Sequence, residues 1–121
     1  MRSALFVAAL VLALACVAGA QEYTTAEGLQ KLVGEQSVPY FLVDVRTPAE
    51  FAGGHIPTAV NIPYESIVDK APTADKAALI VVYCASGSRS RAAAGMLQKA
   101  GYTNVVNFGS IRGWKGEIVK P

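Results

Sequence analysis

Residues 78–91, ALIVVYCASGSRSR, are the stretch on which the reading of this chain turns. Residues 78–83 form a short, nearly unbroken apolar run rich in β-branched side chains, the pattern of a strand buried on both faces, as in a parallel sheet. The run stops at Cys84. Ala85, Ser86, Gly87 and Ser88 are small, and Gly87 is free to adopt backbone angles that a Cβ disfavours. From Arg89 the segment RSRAAAGMLQKAGY has helical character, with Gly101 as its expected stop. A thiol is thus expected at the carboxyl end of a buried strand, followed by a tight loop and a helix N-terminus.

That placement matters because the thiolate, not the thiol, is the nucleophile. A free cysteine of pKa about 8.5 is only about 3% ionised at pH 7. Lowering the pKa by about two makes roughly three quarters of it thiolate, a differential stabilisation of about 2.7 kcal/mol. Converging backbone N–H groups, the positive end of a helix and a guanidinium all act in that direction, and Arg89 or Arg91 is placed to supply the last. The same donors suit an anionic substrate, and the sulfur is expected to be held ionised in a pocket open to solvent. The alternative is a small hydrophobic cysteine that merely fills space at a strand end.

The chain has 121 residues, and its 52% hydrophobic content is concentrated partly at the start. Arg2 precedes an unbroken apolar run at residues 4–15, and Ala18-Gly19-Ala20 gives the small-residue pattern of a cleavage site. Residues 1–20 therefore read as a signal peptide, cut near Ala20, for a periplasmic or secreted protein. Two alternatives stand beside this: an uncleaved membrane anchor, or lipidation at Cys16, whose preceding residues only partly match a lipobox. Residues 21–121 suffice for one compact domain. Loss of Arg2 takes the formal charge from +2 to +1, which gives no reason to expect nucleic acid as a partner. Loss of Cys16 leaves Cys84 without a disulfide partner, so in an oxidising compartment it must be buried or used.

Elsewhere, Thr24 or Thr25 caps an expected helix at residues 26–33, with Leu29, Leu32 and Val33 on one face and Gly34 ending it. Residues 40–45 read as a second buried strand. Thr47-Pro48-Ala49-Glu50 combines a capping box with proline at the first helical position, and Gly53-Gly54 stops that helix. Residues 59–63 suggest a third strand, residues 64–68 a short helix, and residues 104–108 a last strand leading into a short helix before Trp114. The alternation implies an α/β fold, a mostly parallel central sheet with helices on both faces. Ligands of such sheets bind beyond the carboxyl ends of the strands, where Asp44, Arg46 and Cys84 all fall.

DVRTPAEFAGGHIPTAVNIP, residues 44–63, resembles the upstream signature of rhodanese-like domains, D-x-R, E-[FY], G-H-I, A-x-N-I-P. CASGSRS, residues 84–90, resembles their active-site loop, C-x-x-G-x-R-[ST]. A third landmark, G-G-x-x-x-W, is less well matched, because Ser110 replaces the second glycine ahead of Trp114. The resemblance covers essentially all of residues 21–121 and implies a single rhodanese-like domain similar to single-domain thiosulfate sulfurtransferases. It implies that Cys84 takes the sulfane sulfur of thiosulfate or a similar anionic donor as a persulfide and passes it to cyanide, a thiol or a dithiol, by ping-pong covalent catalysis. It further implies that Ala85, Ser86, Gly87, Ser88 and Arg89 bind the donor and wrap the persulfide, Arg89 attracting the anion and stabilising the thiolate.

A cysteine phosphatase or arsenate reductase is disfavoured. Arg89 gives C-x4-R and Arg91 C-x6-R, while the C-x5-R position holds Ser90. A non-catalytic binding module is the third reading, although such members often lack the cysteine. His55, the single histidine, is expected to be structural, Asp44 and Arg46 to form an ion pair, Trp114 to plug the core, and Arg91 to be solvated. Tyr83 fits packing as well as a role beside the nucleophile. No Cys/His cluster exists, so no metal is expected, and no other cofactor is implied. The expected partners are a small anionic sulfur donor and a thiol or cyanide acceptor, with the protein a monomer.

Overall fold

A computed structural model of the chain describes residues 22–121. The signal-peptide, anchor and Cys16 expectations lie outside the described residues. Four strands, β1 (Phe41–Asp44), β2 (Val60–Asn61), β3 (Ile80–Cys84) and β4 (Val105–Ser110), form one all-parallel sheet in the order β2-β1-β3-β4. Among the described residues three helices accompany them: α1 (Ala26–Glu35), α2 (Pro48–Ala52) and α3 (Ser88–Lys99).

Parallel strands require crossovers, and the helices that make them cover both faces of the sheet. On one face, Leu29, Leu32 and Val33 of α1 pack with Leu42, Val81, Tyr83, Val106 and Trp114. On the other, Ala93, Ala94 and Leu97 of α3 pack against Val43, Ile80, Val82 and Cys84. All five residues of β3 are buried because it lies between β1 and β4 and under both layers. The α3 stripe, Ser90, Ala93, Ala94 and Leu97, has helical spacing and small side chains, which lets the helix lie close to β3. Each large apolar side chain fully withdrawn from water, such as Leu29, Ile80 or Leu97, contributes about 1.5–3 kcal/mol.

Several local expectations are confirmed and others corrected. Thr25 caps α1, its hydroxyl accepting from Gly28 N–H at 3.0 Å. The helix does not stop at Gly34. It runs to Glu35, and Gln36 takes the left-handed position (φ 48°) with its N–H on the Leu32 carbonyl at 2.9 Å. Thr47 and Glu50 form the full capping box at the start of α2, with Pro48 in the first turn. The third strand shrinks to two residues, because β2 lies at the sheet edge and pairs with β1 alone. The helix expected at residues 64–68 is a single 3-10 turn, Tyr64–Ser66. The last strand continues two residues past Phe108, to Ser110, before a 3-10 turn at Ile111–Gly113. Trp114 is buried as expected, donating from Nε1 to the Glu117 carbonyl at 2.8 Å.

Candidate active site

The strands end together, and β3 delivers Cys84 to the carboxyl edge of the sheet. There the chain must turn sharply into α3, and Gly87, at φ 102°, makes the turn possible. This left-handed residue is the N-cap of α3, and its N–H donates to Cys84 Sγ at 2.9 Å. Ser90, fully buried one turn into α3, places its hydroxyl 3.5 Å from Sγ and donates to the Gly87 carbonyl at 3.0 Å. Burial by itself pushes the Cys84 thiol up. The hydrogen bond shared with the Ser90 hydroxyl and those from the N–H groups of Ser90, Gly87 and Ser86 outweigh it, so the net shift is downward, toward thiolate.

Cys84 itself is 0% exposed, whereas the sequence reading expects a pocket open to solvent. The cover over it is thin: Ala85, Gly87 and Arg89 are half-buried, and Ser86 and Ser88 are exposed. Cys84 thus packs on one side into the apolar layer under α3 and on the other meets the loop that supplies N–H donors. Ser86 and Ser88 touch through their hydroxyls at 3.3 Å. A groove of about 600 Å3, lined by Val38, Phe41, Leu79 and Asn104 among others, lies at the amino ends of the strands, away from Cys84.

Arg89 lies in the first turn of α3, and its guanidinium forks onto Glu50, Nη1 to Oε1 at 2.7 Å and Nη2 to Oε2 at 3.0 Å. Cys84 contributes only a minor, through-space share to the charged state of Arg89. The Arg89 hydrogen bond holds the Glu50 carboxyl down at about 2, helped by the backbone and hydroxyl of Thr47. The capping box thus does two things: it starts α2 and it aims a carboxylate at the cysteine loop. Arg91 is exposed.

Asp44 and Arg46 form the expected ion pair, both buried, at 2.6 Å. Arg46 also donates to the Gly54 carbonyl at 2.7 Å, tying the end of β1 to the turn after α2. Tyr83 is fully buried, its hydroxyl accepting from Ile56 N–H, and burial pushes its phenol up. It packs away from the loop. His55 is buried, stacked on Phe51 with ring centroids 3.7 Å apart, and its Nδ1 lies 3.1 Å from the Phe51 carbonyl. Its backbone pairs with Val119. Among the described residues no three His, Cys, Asp or Glu side chains gather as a metal site.

Three contacts escaped the sequence reading. In the sequence Glu50 carries a capping pattern and no sign that it is the partner of Arg89. Ser90 occupies the C-x5 position and gives no sign that it lies beside the sulfur. Ser110 departs from a glycine pattern, yet its hydroxyl reaches the Ala85 carbonyl.

Among the described residues the one cysteine stands at the end of a central parallel strand on an α/β sheet, ringed by N–H donors at a helix start. Residues 25–117 match the Rhodanese-like domain family, and the chain belongs to it. It is 41% identical over 86 residues to a sulfurtransferase of Allochromatium vinosum, covering 70% of this chain and 78% of that one. It is 33% identical over 112 residues to the thiosulfate:glutathione sulfurtransferase of Saccharomyces cerevisiae, covering 81% and 80% of the two chains. Among solved structures, the Alr3790 protein from Anabaena sp. superposes with a TM-score of 0.73 at 26% identity, covering 79% of each chain. The relatives bear sulfurtransferase names, and the chain is a rhodanese-like sulfurtransferase homologue.

Proposed function

We propose that the protein is a thiosulfate sulfurtransferase working through a persulfide on Cys84. The Cys84 thiolate attacks the outer sulfur of thiosulfate. The S–S bond of the donor breaks and sulfite departs with its electron pair, leaving Cys84–S–S⁻. A thiolate, dithiol or cyanide then attacks that outer sulfur, and Cys84 leaves as the thiolate. The N–H groups that steady the thiolate are arranged to steady the persulfide anion one atom further out.

The observation that carries this reading is the Gly87 N–H at 2.9 Å from Sγ, within a ring of donors that includes Ser86 and Ser90. The thiosulfate in the name of the Saccharomyces cerevisiae relative supports the choice of donor. The donor-binding role falls to the loop, Ala85 to Arg89. For Arg89 this means sharing its guanidinium between Glu50 and the incoming anion. A phosphatase reading fits poorly, because Ser90 occupies the C-x5 position and Arg89 is engaged by a carboxylate. On the strength of the sequence of residues 1–20 we propose further that the protein is exported to the periplasm or secreted after cleavage near Ala20, with lipidation at Cys16 or an uncleaved anchor as the alternatives.

Mass spectrometry after thiosulfate treatment tests the central step. One added sulfur, about 32 Da on the Cys84 peptide, is expected from covalent transfer, is lost on treatment with cyanide and does not form in Cys84→Ser. Failure of the wild type to take up sulfur from any member of a donor panel overturns the reading and leaves the binding module. Phosphate-ester turnover without sulfur transfer selects the phosphatase.

A further inference from the structure

The end of β4 does more than close the sheet. β3 and β4 run in register through Val82 and Asn107, and then Tyr83 pairs with Gly109. Phe108 is the extra residue of a bulge, and Gly109 absorbs the kink at φ 98°. The slip by one brings Ser110 opposite Cys84, where regular pairing would set Gly109. The loop lies against this corner, with the Cα of Gly109 and the N of Ser110 both 3.9 Å from where a Cβ on Gly87 would stand.

The Ser110 hydroxyl accepts from Arg112 N–H at 3.1 Å and donates to the Ala85 carbonyl. Every peptide bond among the described residues is trans. In a trans peptide the carbonyl and the next residue's N–H lie in one plane and point in opposite directions within it. Drawing the Ala85 carbonyl toward β4 therefore turns the Ser86 N–H away from β4, back into the loop that holds Cys84. We propose that Ser110 is a positioning residue for Cys84: its hydroxyl anchors the Ala85 carbonyl and so aims the Ser86 N–H at the cysteine sulfur. The Ser86 N–H is among the groups that favour the Cys84 thiolate, in line with this geometry. The proposal rests on Cys84 being the working nucleophile, not on which donor it meets.

The charged groups around the loop are Arg89 on α3, held by Glu50 on α2, the Asp44–Arg46 pair at the end of β1, and Arg112, exposed in the 3-10 turn after β4. Of these only Arg112 is bonded to Ser110, through its backbone N–H. The test is the pH profile of Cys84 alkylation by iodoacetamide in the full chain, read on the Cys84 peptide by mass spectrometry. Ser110→Ala and Ser110→Gly are expected to move the midpoint upward, with alkylation at pH 6 slowed about three- to tenfold, the thiolate fraction falling tenfold per pKa unit. Ser110→Thr, which keeps the hydroxyl on an extended backbone (φ −84°, ψ 136°), is expected to follow the wild type. Wild-type profiles in both the Ala and Gly variants overturn the proposal, whatever happens to thermal stability.

A second measurement needs no variant. In the wild type the Ser86 amide proton resonance is expected to titrate with the Cys84 midpoint, and a Ser86 resonance that stays still overturns the proposal. Alkylation needs no sulfur donor, so absence of sulfur transfer in every form counts against the proposed activity and leaves this test standing.

Discussion

Arg89 gives both ends of its guanidinium to Glu50, at 2.7 and 3.0 Å, and neither to Cys84. The positive charge nearest the loop is therefore partly neutralised at rest. The downward shift of the thiol comes instead from the Ser90 hydroxyl and the loop N–H groups. This division of labour sets up the first two predictions.

Glu50→Gln keeps a side chain suited to the capping box while removing the charge. The folded carboxyl sits at about 2, below its ordinary 4.5. Depression means that its stabilisation is present above pH 4.5 and is lost as the pH falls through about 2. The pair is about one-third exposed, so after solvent screening it is worth about 1 kcal/mol. Urea unfolding is expected to show Glu50→Gln less stable than wild type by that amount at pH 7, with the difference shrinking between pH 4.5 and 2. Freed of its partner, Arg89 should also lower the KM for thiosulfate about two- to fivefold, a modest gain because the site is partly solvated.

Ser90→Ala removes the hydroxyl 3.5 Å from the sulfur but leaves the backbone donors. The thiol is expected to rise by about one pKa unit, since one hydrogen bond to a charged group is worth about 1.5–3 kcal/mol and part of that is recovered by water. A higher pKa means less thiolate at fixed pH. Absorbance at 240 nm should record the shift, and sulfur transfer at pH 6 should fall about tenfold while recovering at pH 9. An unchanged titration would assign the low pKa to the N–H groups alone.

Asp44→Ala strands Arg46, which is 8% exposed and donates three side-chain hydrogen bonds to that carboxylate. Removing one partner of a buried pair costs about 3–5 kcal/mol. The midpoint of urea unfolding should fall accordingly, and because Asp44 does not touch Cys84, the alkylation rate of the remaining folded protein should stay within about twofold of wild type.

His55→Ala loses a stacked ring and a hydrogen bond to the Phe51 carbonyl. The expected result is a stability loss of about 1–2 kcal/mol with turnover per folded molecule nearly unchanged. A turnover loss of a hundredfold or more in a well-folded variant would give His55 a chemical role.

Much of the fold could be read from local patterns. The run before Cys84 is apolar on both faces because its strand is central, and that burial left its mark on every residue from Ile80 to Tyr83. The capping box and the proline at the start of α2 are signals carried within four residues. Boundaries were less legible where a neighbour decides them. Gly34 looks like a helix stop, but the chain needs the left-handed turn two residues later, at Gln36. β2 is short because only β1 lies beside it.

By itself, the sequence determined the parallel α/β order, the cysteine at a strand's carboxyl end and the loop that follows it. Each is written in residues adjacent along the chain, where the period of apolar side chains and the freedom of a glycine act locally. Only the tertiary structure decided what faces the sulfur: Ser90 turned inward on α3, Arg89 drawn off by Glu50 from 39 residues away, and Ser110 brought opposite Cys84 by a bulge in another strand. Those contacts join segments distant in the chain, and their geometry exists only once sheet register and helix packing have set the distances.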